Sequence, residues 1–459
     1  HNQTEGQSEK RRGRETMNGT TTAVQISSLK DFLVFMRSEL KPKGKILTPF
    51  NLITGPVILL GSVLILYRFF MGLGSVANSS SEYPWGIWIG FIVMVGVAFA
   101  GGAYVTAFIV YVLRGERYHS IVRMAVLNGF LAYVFYAGAI LLDLGRWWNI
   151  ANPLIGNRFG VNSVLFLVAW HFLLYMIAQL VEISPAFAEW RGLKRTRKFL
   201  ASLTLGAVII GITLSTLHQS GLGALYLMAK WKIHPLWYTE FIPLLFFVSS
   251  IYAGLSVVIF IGTVSFRVFD KDRIDEEYRK SWDDIMIDLG KACAITMFVY
   301  FFLQILVLVH GKHWSLLNTG MGYWYLAEII GLLLIPGFLF SWGVKSGNPA
   351  PIRIAAVLTM IGVIINRIDY SIIAYKWYLP FSERYIPSWM EVVITLAIVF
   401  TMVWVFIWIV NRVPILRKPP QWAIEQEQEE EIEGRAIALA PQLGLTMADG
   451  GKSIDPHKK

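Results

Sequence analysis

The feature that most constrains this chain is a series of apolar segments, each about 20 residues long. Segments of that length can cross the roughly 30 Å hydrocarbon core of a bilayer as helices, whereas a barrel would show short alternating strands. Only 16% of the residues are charged, against about 25% in a soluble domain. The sequence therefore predicts an all-α membrane protein. We expect ten spans, at about 50–71, 85–113, 121–143, 159–182, 199–217, 239–264, 290–310, 322–342, 352–375 and 387–411.

Basic residues mark alternate loops between the predicted spans. The second loop contains Arg114, Arg117 and Arg123, whereas the first loop has no Lys or Arg between positions 72 and 84. Lys and Arg concentrate on the cytoplasmic side of membrane proteins. We therefore expect a multi-pass protein of the cytoplasmic membrane with both termini in the cytoplasm. We attribute the net charge of +10 to these basic loops, so we expect no nucleic-acid partner.

The two ends of the chain are polar. We interpret residues 1–49 as a cytoplasmic tail with an amphipathic helix on the bilayer surface, residues 50–411 as the ten-helix domain, and residues 412–459 as a second cytoplasmic tail. The apolar positions of the amphipathic helix are Ile26, Leu29, Phe32, Leu33, Met36 and Leu40. The acidic run 425–433 is expected to be solvated, with docking of a cytoplasmic partner as the alternative. We find no pattern of a removable signal peptide.

Cofactor chemistry is narrowed by the single cysteine, Cys293, which lies in an apolar run. One cysteine provides neither an internal disulfide nor a four-thiolate iron–sulfur site, and no haem-attachment motif is present. A b-type haem would need two histidines at matched depth. We predict that His171 lies too deep to pair with His218 or His310, so we expect no haem and no metal site.

Ionisable residues inside membrane spans are costly, and most of those in this chain are predicted near the outer face. Buried charges usually pair, so Arg367 could pair with Asp369, Glu391 or Glu328. The sequence leaves open whether such pairs are structural or functional. The ionisable residues predicted toward the outer face are Asp143, Arg146, His218, Glu240, His310, His313, Glu328, Arg367, Asp369 and Glu391.

The fourth span contains a stripe of protic side chains: His171, Tyr175, Gln179 and Glu182. Their spacing places them on one helical face. At a rise of about 1.5 Å per residue, the stripe runs roughly 16 Å toward the cytoplasmic edge. Hydrogen bonding between helices is one explanation. A proton half-channel, which we favour, is the other.

The segment 214–241, LSTLHQSGLGALYLMAKWKIHPLWYTEF, is predicted to join the fifth and sixth spans. It combines His218, Gln219 and Ser220 with two glycines and several aromatic residues. Glycines allow close approach, aromatic rings provide flat apolar walls, and a histidine with a carboxylate can exchange protons with a carbonyl or hydroxyl oxygen. This combination suits a quinone head group.

Several segments resemble one family of membrane proteins: STLHQSGLGALY, PLWYTEFIPLLFF, LLDLGRWW, YLAEIIGLLLIPG and VIINRIDYSI followed by PSWMEVV. Together they resemble the integral membrane subunits of the polysulfide reductase, nitrite reductase (NrfD) and hydrogenase-2 (HybB) type, over about residues 50–411. With its ten predicted spans, the chain resembles the hydrogenase-2 and sulfite-reductase-associated (DsrP or Hme-type) branches more than the shorter members. The resemblance implies two four-helix bundles plus flanking helices, and a menaquinone or ubiquinone site near the outer face.

The resemblance also implies residue roles and partners. Around the quinone it places His218, Gln219, Ser220, Asp143, Arg146, Tyr136 and Trp147, with His218 and Asp143 as catalytic groups. The implied proton path comprises His171, Tyr175, Gln179, Glu182, Glu328, Arg367, Asp369 and Glu391. Family members usually have an asparagine near this position, so Asp369 departs from the family pattern.

The implied partners are an iron–sulfur, ferredoxin-like subunit on the outer side and further redox subunits of the cytochrome c, hydrogenase or Dsr/Hdr-like kind. Members of the family bind no haem or cluster themselves. An ion- or proton-coupled secondary transporter is the competing interpretation, because it too would have ten spans and buried charges. Helices broken by proline near the bilayer centre are typical of transporters, and Pro243 and Pro336 are the candidates here.

Overall fold

A computed structural model describes residues 29–43, 46–155 and 162–439. Within them, ten helices are long and apolar enough to cross a membrane, as predicted. The start predicted for the fourth span lies outside the described residues. The helices are α1 Pro49–Met71, α2 Trp88–Val112, α3 Glu116–Asp143, α4 Val164–Arg191, α5 Lys194–Ala229, α6 Ile242–Val268, α7 Glu276–Gly311, α8 Gly320–Ser346, α9 Pro349–Ile373 and α10 Trp389–Val410.

An even number of spans places both ends of the described chain on the same side. We call this side the terminal face. The opposite side, which carries the loops after α1, α3, α5, α7 and α9, is the distal face. The prediction from basic residues corresponds to a cytoplasmic terminal face and an outer distal face.

The helices form two groups of four, α2–α5 and α6–α9, with α1 and α10 packed together at the side. Small residues at Gly102 in α2 and Gly254 in α6 let the two groups approach closely. A Cβ atom added to Gly102 would lie 2.5 Å from the carbonyl oxygen of Gly254. Nearby, the Tyr104 and Ser250 hydroxyl oxygens are 3.0 Å apart. Close backbone contact through small residues is typical of helix packing in membranes.

Polar contacts join the two flanking helices to each other and to the first group. The indole nitrogen of Trp404 in α10 donates to Thr54 Oγ1 in α1 over 2.9 Å. At the distal end of α1, the buried Arg68 guanidinium donates to the carbonyl oxygens of Leu142, over 2.8 Å, and of Leu144. These bonds occupy carbonyl groups at the end of α3 that have no partner within the helix.

The two tails contact the terminal face. The amphipathic helix Leu29–Leu40 is followed by backbone carbonyls that bind Arg412, including that of Lys41 at 2.8 Å. The predicted position Ile26 lies outside the described residues. A C-terminal helix, Gln421–Leu439, packs Ala423 into the protein and pairs Glu427 with Arg197. Glu425 and Glu429 are exposed, and the ion pair of Glu427 anchors this helix to the membrane domain.

The helix that carries His218 is longer than predicted. We expected the fifth span to end at 217, but α5 continues to Ala229, so His218 lies inside the helix and only 230–241 forms the loop. Gly223 lies within α5, and its lack of a side chain lets the start of α6 approach this helix closely. A Cβ atom added there would lie 2.9 Å from the Cα of Pro243. His218 is therefore about two turns deeper than the sequence indicated.

Candidate functional site

The His218 imidazole lies in the core of the first bundle and is only 1% exposed. Its Nδ1 atom is 3.2 Å from the carbonyl oxygen of Val168 in α4. Because a carbonyl oxygen can only accept, Nδ1 carries the hydrogen in this arrangement. The Nε2 atom is buried and has no hydrogen-bond partner among the described residues. It therefore presents an unused acceptor.

Aromatic rings hold this imidazole in place. Its centroid lies 5.6 Å from that of Tyr133 and 5.8 Å from that of Phe172. Tyr133 also makes an edge-to-face contact with Tyr175, at 4.9 Å. Ser215, about one turn before His218, lies beside both tyrosines. Four helix positions thus surround His218 with flat apolar surfaces and hydroxyl groups.

The hydroxyls of Tyr133, Tyr175 and Ser215 are buried, and although Ser215 lies within reach of both tyrosines, none of the three makes a well-aligned hydrogen bond in the described part of the chain. A buried hydroxyl that makes no hydrogen bond costs roughly 1–3 kcal/mol. With His218 Nε2, they form a cluster of unused donors and acceptors, which we call the His218 cluster. Such a cluster fits a bound water chain or a ligand with carbonyl or hydroxyl oxygens.

The predicted stripe on α4 continues from the His218 cluster toward the terminal face. Gln179 is buried against Gly129, and neither atom of its amide has a partner in the described structure. His171 Nδ1 and Glu182 Oε1 are likewise buried and unpaired among those residues. The structure therefore places the stripe inside the bundle. Both explanations of the stripe, hydrogen bonding between helices and a proton half-channel, stay open.

The prediction that His171 lies much deeper than His218 is wrong. Val168 contacts the His218 ring, and His171 follows Val168 by about one turn of α4. His171 is also among the groups close enough to His218 to act on it electrostatically. The two histidines therefore lie at similar depth. Because α5 is longer than predicted, His218 lies within the helix and deeper in the bundle than a residue of the loop would.

At the terminal face the stripe ends in a buried ion-pair cluster. Glu189, two turns beyond Glu182 on α4, accepts bonds from Arg123 Nη1 and Nη2 at 2.6 and 2.9 Å. Arg197 lies 3.4 Å from the same carboxylate and also pairs with Glu427 of the C-terminal helix. Sequence analysis interpreted Arg123 only as a topology marker. The spacing of Glu189 on the stripe face was the available signal.

Asp143 lies at the distal end of the same bundle, away from His218. It is ten residues after Tyr133 on α3, which corresponds to about 15 Å along the helix axis. The charged groups that face it are Arg68 and Glu391. The structure therefore does not bring the two predicted catalytic groups into contact. His218 lies in the interior of the bundle, whereas Asp143 lies at its distal end.

The other residues predicted around the quinone have varied positions. Gln219 Nε2 donates to the Val97 carbonyl over 2.6 Å and so connects α5 to α2. The Ser220 hydroxyl donates to a carbonyl of its own helix, at Thr216. Tyr136 packs against Gly96. Arg146 and Trp147 are exposed on the distal surface.

The second bundle contains a separate polar network around Glu328 and Asp369. Glu328 accepts from Asn366 Nδ2 at 2.6 Å and from Trp237 Nε1 at 2.9 Å. Trp324 Nε1 donates to Asp369 Oδ1 over 2.8 Å. We call Glu328, Asp369 and these three donors the carboxyl network. It lies in α8, α9 and the loop after α5.

Arg367 does not form the salt bridges that the sequence suggested. Its Nη1 donates to Asn366 Oδ1 and its Nη2 to Ser249 Oγ, each over 2.6 Å. The guanidinium carbon lies 3.7 Å from the centre of the Phe246 ring. Within the described residues, its partners are thus neutral groups and an aromatic face. The cation is stabilised without contacting a carboxylate.

Glu391 has a structural position. It accepts from Tyr385 Oη at 2.6 Å, from the Ser388 backbone at 2.8 Å and from the Asn78 backbone at 3.0 Å. With Ser388 it forms a capping box at the start of α10. Both carboxylate oxygens are therefore used to fix a helix end and a loop. This arrangement does not suit a group that passes protons.

Comparison with known proteins identifies the family. The family model described as polysulphide reductase, NrfD matches residues 75–377. This chain belongs to the NrfD family. The match begins before α2 and ends after α9, so it covers both bundles and leaves out the flanking helices. The two bundles, in which the His218 cluster and the carboxyl network lie, are therefore the part of this chain that the family model covers.

Individual relatives of this NrfD-family chain support the assignment. A protein of Nitratidesulfovibrio vulgaris is 41% identical over 377 residues, which cover 82% of this chain and 97% of that protein. A protein of Escherichia coli K12 called “Probable Ni/Fe-hydrogenase 2 b-type cytochrome subunit” is 30% identical over 381 residues, with coverages of 82% and 94%. The integral membrane subunit of a menaquinone reductase from N. vulgaris is 25% identical over 353 residues, with coverages of 70% and 80%.

Several residues of these clusters have no local signal in the sequence of this NrfD-family chain. Tyr133 and Ser215 were not selected, because hydroxyls are common in apolar helices. Trp237 was interpreted as part of an aromatic wall, although it donates to Glu328. Its position depends on the loop 230–241, where the His234 backbone bonds to Ala374 over 2.9 Å. No local pattern predicts such a contact between distant loops.

Proposed function

We propose that this NrfD-family chain is the quinone-binding membrane subunit of a respiratory redox complex. In this function it exchanges electrons between menaquinone or another quinone and a partner subunit that carries iron–sulfur clusters. The main support is His218, whose Nδ1 is fixed by the Val168 carbonyl and whose Nε2 is an unused acceptor inside a cluster of hydroxyls. One relative is named as the membrane subunit of a menaquinone reductase.

The residues of the His218 cluster fit the oxygen atoms of a quinone or quinol head group. A bound quinone supplies two-electron chemistry coupled to two protons. His218 Nε2 can accept the proton of a quinol hydroxyl, or return one in the opposite direction, while Nδ1–H continues to donate to the Val168 carbonyl oxygen. The rings of Tyr133 and Phe172 hold the imidazole so that little reorganisation is needed.

The stripe on α4 would carry this proton between the His218 cluster and the terminal face. An imidazolium cation would be costly in the apolar core, so the proton must move on. Tyr175, Gln179 and Glu182 provide successive protic groups in that direction. We expect Gln179→Leu to lower kcat without raising KM, because it interrupts the chain of groups beyond the head-group site. An unchanged kcat would contradict this route.

The distal face is the proposed docking surface of the electron-transfer partner. Asp143, Arg146 and Trp147 lie there, near the exposed Trp148. We propose that Asp143 marks the distal end of the quinone site rather than acting directly with His218. The proposed partners are a ferredoxin-like iron–sulfur subunit and, beyond it, cytochrome c, hydrogenase or Dsr/Hdr-like subunits. In this orientation both termini are cytoplasmic.

We also propose that the chain uses no haem, although one relative is named a b-type cytochrome subunit. His171 and His218 lie at similar depth, so depth no longer argues against a haem. The support is the aromatic packing around His218, whose ring lies 5.6 Å from that of Tyr133 and 5.8 Å from that of Phe172. A reduced-minus-oxidised visible spectrum of the purified chain is expected to lack haem bands, and their presence would overturn this part of the proposal.

The experiment that tests the proposed function is His218→Ala in the assembled complex. General acid–base catalysis contributes about 10²- to 10⁴-fold, and we expect a loss of quinol-dependent turnover of that order. His310→Ala, which changes a histidine at the distal end of α7, is the matched control and should retain turnover. Both variants should assemble with their partners. Normal turnover of His218→Ala would reject the site.

A further inference from the structure

The amphipathic helix Leu29–Leu40 at the terminal face has one exposed side that combines apolar and basic residues. Five exposed positions recur at intervals of three or four residues or lie beside one another, so they share one face of the helix. This exposed face contains Lys30, Leu33, Val34, Arg37 and Leu40, and Lys41 follows directly after the helix. The three apolar side chains are 58–66% exposed. Such a combination is typical of a helix that lies in a membrane interface.

The end of α10 holds this helix in place. Arg412 Nε donates to the Glu39 carbonyl oxygen over 3.0 Å and lies 3.2 Å from Glu39 Oε2. The guanidinium carbon of Arg412 is 4.4 Å from the centre of the Trp408 ring, and the side chain is buried. Glu39 lies on the side of the helix opposite the exposed face. The contact with Arg412 therefore directs the exposed face away from the protein.

The helix lies at the level where two membrane spans end. α10 ends at Val410, just before Arg412, and α1 begins at Pro49, a short distance along the chain after the helix. Apolar side chains stay exposed through Ile46 and Leu47 up to α1, most of whose residues face away from the protein. At this level an exposed apolar surface meets the lipid headgroups and outer acyl chains.

The charge of this segment indicates which lipids it binds. Residues 29–45 contain five Lys or Arg and two Asp or Glu, which gives a net charge of +3. Glu39 lies 3.0 Å from Lys43 Nζ as well as beside Arg412, so its charge is compensated within the protein. Clusters of basic residues next to a membrane span attract anionic lipids. Lys and Arg can extend their charged ends to lipid phosphates while neighbouring Leu and Val side chains enter the apolar layer.

We propose that the exposed face of this helix binds anionic phospholipids of the leaflet at the terminal face. Its three basic residues contact the phosphates, and its three apolar residues contact the outer acyl chains. This site is independent of the quinone chemistry, and the family model, which begins at residue 75, does not cover it. A soluble acidic protein would match the basic residues, but the apolar side chains at the level of the headgroups favour a lipid.

Hydrogen–deuterium exchange of the full-length protein in lipid nanodiscs tests this proposal. We expect the backbone amides of residues 29–43 to exchange more slowly when phosphatidylglycerol replaces part of the phosphatidylcholine. Each basic residue near a membrane surface contributes roughly fivefold to the attraction. The triple variant Lys30→Gln, Arg37→Gln and Lys41→Gln should therefore bind phosphatidylglycerol about 100-fold more weakly and lose this protection over the same lipid range. Unchanged exchange in α1 and α10 would show that the variant is folded.

The matched control changes three exposed basic residues in another loop of the terminal face: Arg267→Gln, Lys271→Gln and Lys280→Gln. It removes the same amount of charge and should keep the protection of residues 29–43. His218→Ala should also keep it, so failure of the quinone site and failure of this lipid site are distinguishable.

Three results would overturn the proposal. The first is equal exchange of residues 29–43 in the two lipid compositions, or protection that survives in the Lys30, Arg37 and Lys41 variant. The second is protection by inorganic phosphate added to phosphatidylcholine nanodiscs, which would indicate a site for the free anion. The third is protection that appears only when a partner subunit is added, which would indicate a protein interface.

Discussion

At the residue scale, the site depends on side chains whose neighbours come from other helices. The sequence identified His218, because histidine, glutamine and glycine are conspicuous within an apolar segment. It did not identify Tyr133 or Ser215, since nothing within α3 or α5 reveals which residues meet across the bundle. Glu391, which was predicted as part of a proton path, also has a structural role that was not predicted. It forms a capping box with Ser388.

Glu189 leads to a prediction about stability at this scale. It balances Arg123 and Arg197, and Arg197 is only 1% exposed. Glu189→Gln keeps the shape but leaves buried guanidinium groups short of negative charge. Removing one partner of a buried ion pair costs about 3–5 kcal/mol. We expect a clear fall in the thermal unfolding temperature of the purified protein, measured in detergent.

The control for this prediction is Glu425→Gln, which changes an exposed carboxylate in the C-terminal helix. It should leave the unfolding temperature within error of the wild type. Equal stability of the Glu189→Gln variant would mean that the cluster contributes no net stabilisation, as some buried ion pairs do.

At the scale of elements, hydropathy located the spans but not their ends. Prediction ended the fifth span at 217 and began the seventh at 290, whereas α5 reaches Ala229 and α7 begins at Glu276. Hydropathy detects the apolar part of a helix, and the helix continues into polar sequence wherever tertiary contacts stabilise it. The loop 230–241 was even less predictable, because its contacts with 374–377 join distant parts of the chain.

His234 in this loop gives a pH-dependent prediction. Burial, with a smaller effect of His313, lowers the pKa of His234 to about 4, from about 6.5 in an unfolded chain. Between these values the unfolded chain binds more protons, so stability is complete above the upper value and is lost as the pH falls toward the lower one. Protonation also competes with the bond that Nδ1 accepts from the Leu236 backbone at 3.2 Å.

Thermal unfolding of the purified protein across that pH interval measures the effect. We expect the wild type to lose more stability on acidification than His234→Asn, whose side-chain oxygen can accept the same backbone hydrogen without titrating. His310→Asn, at a site outside the loop, should behave like the wild type. Identical pH profiles for the wild type and His234→Asn would contradict this explanation.

At the scale of the whole molecule, the class and the number of spans followed from the sequence, because bilayer thickness dictates helix length. The grouping into two bundles came from the family resemblance and agrees with the packing of α2–α5 among themselves and of α6–α9 among themselves. The NrfD match covers both bundles but not α1 or α10. In this chain, the matched region contains two polar interiors, one around His218 and one around the carboxyl network.

The orientation of this molecule can be tested with cysteine labelling. The native Cys293 is fully buried, so it should not react with a membrane-impermeant maleimide. We expect Trp231→Cys, at a distal residue that is 85% exposed, to be labelled in intact cells or spheroplasts. Ser346→Cys, exposed on the terminal face, should react only after the membrane is opened. The reverse pattern would place both termini outside the cytoplasm.

The account as a whole depends on where the quinone head group binds. Photolabelling of the assembled complex with an azido-quinone, followed by peptide mapping, tests this most directly. We predict labelled peptides from α3, α4 or α5 around Tyr133, Phe172 and His218, with labelling abolished by excess native quinone. Labelling confined to α6–α9, or independent of competing quinone, would contradict the account.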